Sequence, residues 1–339
     1  MSENMAKQFP MSWEQAVEWL REQPGQEALV KACFFDDPLL EAAKRFHQSE
    51  EWAQTRKRLP DPSGKALDLG AGRGISSYAL AKDGFAVTAL EPDPSSLVGA
   101  GAIRSLAEES GLPITVVQEW GEQLPFPDHS FDLAHGRQVL HHARDLPGLC
   151  CEVARVLKPG GVFIATREHV VDRPEELPVF LAGHPLHHLY GGENAFSLPQ
   201  YVAAIEEAGF WFSEILAPFD SAINYYPATL EQVNALAKQL CPSAPDKIAA
   251  LRRTCRTPGR LFTFVTEKYP CPPDSGQDAT CLRQALQSAK VIRQALTDTL
   301  CAFAANPPAP SAASPVRGIA HRYGKKVLYY LRRLCGRQS

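Results

Sequence analysis

Between Lys65 and Lys158 short β-branched or aliphatic runs alternate with amphipathic stretches, and this alternation constrains the chain more than any other feature. A strand can reach a parallel neighbour only through a crossover of a dozen or more residues, usually a helix. Repeated strand-helix patterning therefore reads as β-α-β units and a parallel sheet. Strands are expected at 66–69, 86–90, 114–117, 131–135 and 162–166, with two more at 211–216 and 261–267. The first helix runs from Gly74 to Gly84, which supplies the left-handed residue after its end. Further helices are expected at 95–109, closed by Gly111, at 146–157, and at 201–208, stopped by Gly209. Lys158-Pro-Gly-Gly161 makes the turn into the fifth strand.

Around this core, 61–270, the chain divides by composition. Residues 1–60 form a helical N-terminal segment whose second helix starts with Asp37 as N-cap and Pro38 at the first helical position, and stops at Pro60. The connection 168–199 is rich in His, Pro and Gly without clear periodicity, and a connection of that length beside a site reads as a lid. Residues 221–258 are a helix-like insertion, 271–305 hold a C-terminal helix, and 306–315 (NPPAPSAASP) are a proline-rich linker. The tail, 316–339, sets Arg317, Arg322, Lys325, Lys326, Arg332 and Arg333 against apolar residues at helical spacing. A basic amphipathic helix of this kind suits peripheral contact with an anionic membrane, or docking on the core or on a second subunit.

Composition excludes several classes. Of 339 residues 45% are hydrophobic and 22% charged, which argues against wholesale disorder. A net charge of −3 excludes a chain-wide basic surface for nucleic acid. Nine cysteines without a C-x-x-C pair argue against structural zinc, and with no signal-like start they suit a reducing cytoplasm. No apolar run approaches the ~18 residues of a membrane span.

The segment 67–74 follows a strand and opens a helix, so Gly70, Gly72 and Gly74 allow a tight turn that a ligand can lie against. A dinucleotide fingerprint counted from Gly70 would require glycine where the chain has Ile75. Asp68 also stands just ahead of the turn, where its charge repels a pyrophosphate and attracts an ammonium. Both features argue against a nicotinamide-dependent oxidoreductase. Glu91, at the end of the second strand, suits a carboxylate that accepts from both ribose hydroxyls of an adenosine.

LDLGAGRG, ALEPD, EQLPFPDHSFD, VLHHARD and EVARVLKPGGVFIATRE, in that order, resemble the class I S-adenosylmethionine-dependent methyltransferases, in the broad group that includes the ubiquinone-biosynthesis enzymes. The resemblance covers roughly residues 60–217. It implies an α/β, Rossmann-like, seven-stranded and mostly parallel sheet with helices on both faces and one antiparallel strand. It also implies S-adenosyl-L-methionine as methyl donor and no metal requirement. Asp68, Gly70 and Gly72 are expected at the methionyl part and Glu91 at the ribose. Where the family commonly has an Asp that accepts from the adenine amino group, this chain has Trp120-Gly121-Glu122. Trp120 is then either a wall for the adenine or part of the core.

Direct methyl transfer needs alignment more than catalytic side chains, and a base only for a hydroxyl or protonated amine. Ligands of open α/β sheets sit beyond the carboxyl ends of the strands. This selects Arg137 to orient an anionic acceptor, and His142 or His169 either to take a proton or as structural groups. His184, His187 and His188 are not expected to bind a metal, since no carboxylate or cysteine pattern completes a site; their loop, closing at Tyr190-Gly-Gly-Glu193, reads as an acceptor-selecting lid. After the fourth strand the chain reads His135-Gly-Arg-Gln138, not the Asn/Asp-Pro-Pro-aromatic element that the family associates with planar exocyclic amines. Nucleic acid is thus disfavoured, and no aromatic-rich basic surface supports it. A small-molecule or saccharide acceptor remains; LHHLYGGENAFSLPQYVAAIEEAGF is loosely similar to methyltransferases found with bacterial surface-polysaccharide enzymes. The competing reading is a non-catalytic cofactor-binding scaffold or sensor.

Overall fold

The computed structural model describes residues 10–270 and 279–305. Four helices come first: α1 (Trp13–Glu22), α2 (Glu27–Ala32), α3 (Leu39–His47) and α4 (Glu50–Arg56). The alternating region follows as β1 (Lys65–Leu69), α5 (Ile75–Asp83), β2 (Ala86–Leu90), α6 (Ala100–Ser110), β3 (Ile114–Val117), β4 (Phe131–Arg137), α7 (Leu146–Val156) and β5 (Leu157–Val171). Next come α8 (Leu177–Gly183), α9 (His187–Tyr190), β6 (Phe196–Ser197), α10 (Leu198–Glu207) and β7 (Phe210–Leu216). The last elements are α11 (Ala222–Tyr225), α12 (Leu230–Leu240), α13 (Lys247–Thr254), β8 (Arg260–Lys268) and α14 (Ala279–Ala305).

The strand order is β3-β2-β1-β4-β5-β8-β7, with the two-residue β6 added beside β5. β8 runs antiparallel to both β5 and β7, and the other pairings are parallel. This is the Rossmann-like sheet with one antiparallel strand; β6 is the single strand beyond the expected seven. Order reverses between β1 and β4, so their carboxyl ends flank a crevice, the place where such sheets bind ligands.

Side chains alternate across β1, and the two faces bury different cores. Leu67 and Leu69 join a cluster with α7 and α10, whereas Ala66 joins Phe46, Trp52, Tyr78 and Phe85 on the other face. There the N-terminal helices are clamped to α5 at Asp83, which accepts from the Trp52 Nε1–H at 2.8 Å and the Arg56 Nε–H at 2.7 Å.

Some local expectations shift. Pro38, not Asp37, caps α3, because the Asp37 carboxylate is drawn to Arg21 and Arg73. The expected single helix to residue 59 breaks at Ser49, whose hydroxyl accepts from the Trp52 N–H and starts α4; serine offers the backbone this local alternative. The helix expected from residue 95 begins at Ala100, since the Ser95 N–H is held by Asp93 Oδ1 in a turn. The stretch 168–199 is more ordered than its composition implies: it holds the end of β5, α8, α9 and β6. The linker 306–315 and the basic tail 316–339, with the membrane contact expected of it, lie outside the described residues. Among the described residues, no helix is long and apolar enough to cross a membrane.

Candidate active site

The turn after β1 is built on left-handed backbone, with φ of 56° at Gly70 and 55° at Gly72. A Cβ at Gly70 would stand 2.9 Å from Val139 Cγ2, whereas one at Gly72 would meet nothing within 4 Å. Gly70 is thus required by its neighbour, and Gly72 leaves bare backbone at the edge of a cavity. The Gly72 N–H donates to Glu91 Oε2 at 2.7 Å, and the Asp93 N–H donates to Glu91 Oε1 at 2.9 Å. Each oxygen keeps a second lone pair for a ligand hydroxyl. Burial pushes the Glu91 carboxyl up to about 7, with Asp93 and Asp68 adding to the rise and the two N–H groups opposing it.

Asp68 borders the same cavity, but its carboxylate is already held. Ser77 Oγ–H donates to Oδ2 at 2.5 Å, and His135 Nδ1 lies 3.3 Å from Oδ1. Asp68 is therefore a buried carboxylate beneath the loop, fixed by Ser77 and His135 at the edge of the cavity.

The cavity measures about 950 Å³, at the upper end of the roughly 300–1,000 Å³ that ligand pockets span. It accommodates a cofactor and an acceptor together, so the loop, Glu91 and the available space fit an adenosyl amino acid. Trp120, Gly121 and Glu122 form one wall. Trp120 is 52% exposed, which removes the core reading, and the Arg144 guanidinium lies 4.6 Å over its ring. Glu122 Oε1 accepts from the Arg144 N–H at 3.0 Å.

The opposite wall comes from sequence-distant pieces. Met11, Trp13, Leu20 and Phe35 from the N-terminal segment line it together with Leu186 and Tyr190 from the stretch 168–199. The two are joined by the Met11 N–H to the Leu189 carbonyl at 3.1 Å and by Trp13 against Tyr190 at 4.6 Å. No local signal in the sequence marks these residues as site-forming, because their apolar spacing is that of any packed helix. Arg73 holds the segment to the glycine loop, donating to the Phe34 carbonyl at 2.9 Å and to Asp37 at 2.6 Å.

The three residues selected for chemistry fall in different places. His142 borders the cavity, with Nδ1 at 2.8 Å from the Gly192 carbonyl. Desolvation by the protein packed around the ring, helped by His141, lowers its pKa. Arg137 also borders the cavity, yet its guanidinium is gripped by Glu51 at 2.7 and 3.2 Å. That buried carboxylate offsets its charge, which weighs against the expected role of Arg137 in orienting an anionic acceptor. His169 lies behind the wall, its Nδ1 at 2.8 Å from the Gly259 carbonyl and its ring 4.7 Å from that of His141. It is not among the residues that border the cavity, which weighs against its expected role as a proton acceptor.

The structure also gathers residues whose partnership the sequence did not reveal. Glu168 accepts through Oε1 from the Val139 and Leu140 N–H groups, and through Oε2 from the His141 N–H and Nδ1. Burial works to raise its pKa, but His141 and these N–H groups hold it below the usual carboxylate range. Glu193 is buried among His184, His142, His141 and His169, whose combined influence outweighs desolvation and holds it well below that range.

Residues 67–165 match the methyltransferase domain family. A sterol 24-C-methyltransferase of Yarrowia lipolytica is 30% identical over 251 residues, 68% of this chain and 60% of the relative. A sarcosine/dimethylglycine N-methyltransferase of Aphanothece halophytica is 32% identical over 62% of this chain and 74% of the relative. A ubiquinone biosynthesis O-methyltransferase of Methylobacterium nodulans is 30% identical over 45% of this chain and 62% of the relative. The match thus spans about 60% of the length of the first and third of these relatives. Sheet order, glycine turn and the acidic end of β2 define a nucleoside-binding α/β protein of the methyltransferase type. The chain belongs to the class I S-adenosylmethionine-dependent methyltransferases, and its cofactor is S-adenosylmethionine.

Proposed function

We propose that this chain methylates a small-molecule acceptor held between the glycine turn and the lid-like stretch 168–199. The observation that carries the reading is the 2.7 Å bond from the Gly72 N–H to the Glu91 carboxylate. It joins the ends of two adjacent parallel strands into one seat for both ends of an adenosyl amino acid. In this reading Gly70 and Gly72 present backbone to the methionyl part, Asp68 supplies negative potential beneath them, and Glu91 accepts from the ribose diol. Trp120, Gly121 and Glu122 line the adenine. When bound, the cofactor supplies an electrophilic methyl group on a cationic sulfur.

The protein's part is to align and enclose the acceptor. The apolar walls, Trp13, Phe35, Leu186 and Tyr190 among them, suit an acceptor with an apolar body and one polar reacting group. His142 is the proton acceptor of the reading: its Nδ1–H donates to the Gly192 carbonyl, so Nε2 carries the lone pair. Arg137 and His169 are positioning residues, the first fixing the end of β4 to α4, the second backing His141.

The named relatives methylate carbon, nitrogen and oxygen by their titles, so the atom methylated is not inherited from them. A saccharide acceptor, as in surface-polysaccharide assembly, is the second reading, favoured by the aromatic residues Trp13 and Tyr190 that border the cavity. Peripheral membrane contact rests on the sequence of the tail. Intact protein that stays in solution with anionic liposomes would remove it.

The test is incubation with methyl-labelled cofactor and fractionated cell extracts. Label entering a small apolar or phenolic fraction is expected; label entering only glycan selects the second reading. Cofactor binding with no labelled product in any fraction would make the protein a binding module.

A further inference from the structure

His141, His169 and Glu193 each bring one potential ligand atom to within 4.8 Å of the others. Their partners fix which atoms these are. His141 Nδ1 donates to Glu168 Oε2 at 2.7 Å, and His169 Nδ1 donates to the Gly259 carbonyl at 2.8 Å. With Nδ1 committed in each ring, Nε2 is the nitrogen left to act as a ligand. On Glu193, Oε1 accepts from the Tyr190 hydroxyl and faces His184 Nε2 at 3.4 Å. Its other oxygen, Oε2, has no hydrogen-bond partner although the side chain is only 7% exposed. His141 Nε2 lies 3.7 Å from it.

Acceptors therefore converge on one small buried space. A buried carboxylate oxygen with no hydrogen-bond partner calls for a cation beside it. A proton bridges two acceptors, whereas three converging from different elements are the arrangement of a metal site. We propose that His141, His169 and Glu193 bind a divalent transition metal ion of the zinc class, through the two Nε2 atoms and Oε2. Two imidazoles and a carboxylate are ligands such ions take. The carboxylate and the carbonyl behind the two histidines are the outer partners that fix ring orientation in metal sites. Binding draws the ligands together, because Zn–N and Zn–O bonds of about 2.0–2.2 Å require ligand atoms closer than they now stand.

The existence of this site is independent of methyl transfer; its use rests on that reading. His141 and Glu193 border the cavity that receives the acceptor. A fourth position open on that side would take the acceptor's oxygen and ease loss of its proton to His142.

Full-length protein, stripped with chelator and dialysed, is titrated with cobalt(II) chloride while visible absorption is followed. One equivalent is expected to give ligand-field bands that zinc chloride removes. Glu193→Gln and His169→Gln are each expected to weaken binding at least ~100-fold, and Glu168→Gln by ~10–100-fold through its effect on His141. Circular dichroism identifies any variant that does not fold, and the two ligand variants lie on different elements. Absence of bands in the wild type overturns the proposal, as does an unchanged titration in both folded ligand variants. S-adenosylhomocysteine binding, measured on the same stripped protein, separates the two readings. If it persists while cobalt fails, only the metal site falls; if it fails while cobalt binds, the cofactor seat falls.

Discussion

Replacing Glu91 with glutamine keeps the side chain's shape and removes its charge. In the wild type, burial pushes this carboxyl up to about 7, and its oxygens already accept from the Gly72 and Asp93 N–H groups. A ribose diol donates to the anion, so ligand binding competes with the proton. With a pKa near 7 the ionised fraction falls from about 0.9 at pH 8 to about 0.1 at pH 6, an approximately tenfold loss of affinity. The sign for folding is opposite. A raised carboxyl pKa stabilises the cofactor-free protein fully below the unfolded value near 4.5, and that contribution is lost as pH climbs through about 7. Calorimetric titration with S-adenosylhomocysteine across pH 6–8 should therefore show tightening with pH and release of a proton in wild type. Glu91→Gln should bind about 10–150-fold more weakly at pH 8, the equivalent of ~1.5–3 kcal/mol for a charged hydrogen bond, with a flat profile. A wild type with no pH slope, or a slope that survives in the variant, refutes the assignment of Glu91 to the ribose.

Gly72→Ala should lower affinity for the same ligand at least tenfold and cost ~1–2 kcal/mol in urea unfolding, since its φ of 55° is left-handed; unaltered affinity would move the methionyl seat. Trp120→Ala should weaken binding about 2–13-fold, from ~0.5–1.5 kcal/mol of ring contact, while leaving the melting temperature unchanged. Equal affinities would place the adenine elsewhere. Glu51→Gln should destabilise by ~3–5 kcal/mol in urea unfolding, because Arg137 loses its buried partner at 2.7 Å; a loss below ~1 kcal/mol would show the pair to be energetically idle.

What the sequence revealed of this molecule was what is written locally. β2 and β3 appear at their expected bounds because buried parallel strands make short apolar runs and glycines close the helices between them. The glycine turn and Glu91 were visible for the same reason: each sits at the end of a strand whose period is evident. Ser49, which ends one helix and caps the next, was not recognised, since a serine inside an apolar periodicity reads equally as surface. The site's long-range pairs left no pattern to find. Glu51 meets Arg137 across 86 positions, and Glu168 meets His141 across 27. Glu193 was read as part of a lid, and only the fold brings it to His141.

Glu51 also bears on how the chain can be cut. It stands on α4, yet its carboxylate answers Arg137 at the end of β4 and lies 3.6 Å from Arg167 on β5. A truncation that began at the first strand would leave the Arg137 guanidinium without its carboxylate and take the Trp52 and Arg56 donors away from Asp83. The helices ahead of the sheet are thus a keystone of the catalytic body, and any minimal fragment that retains its stability has to include them.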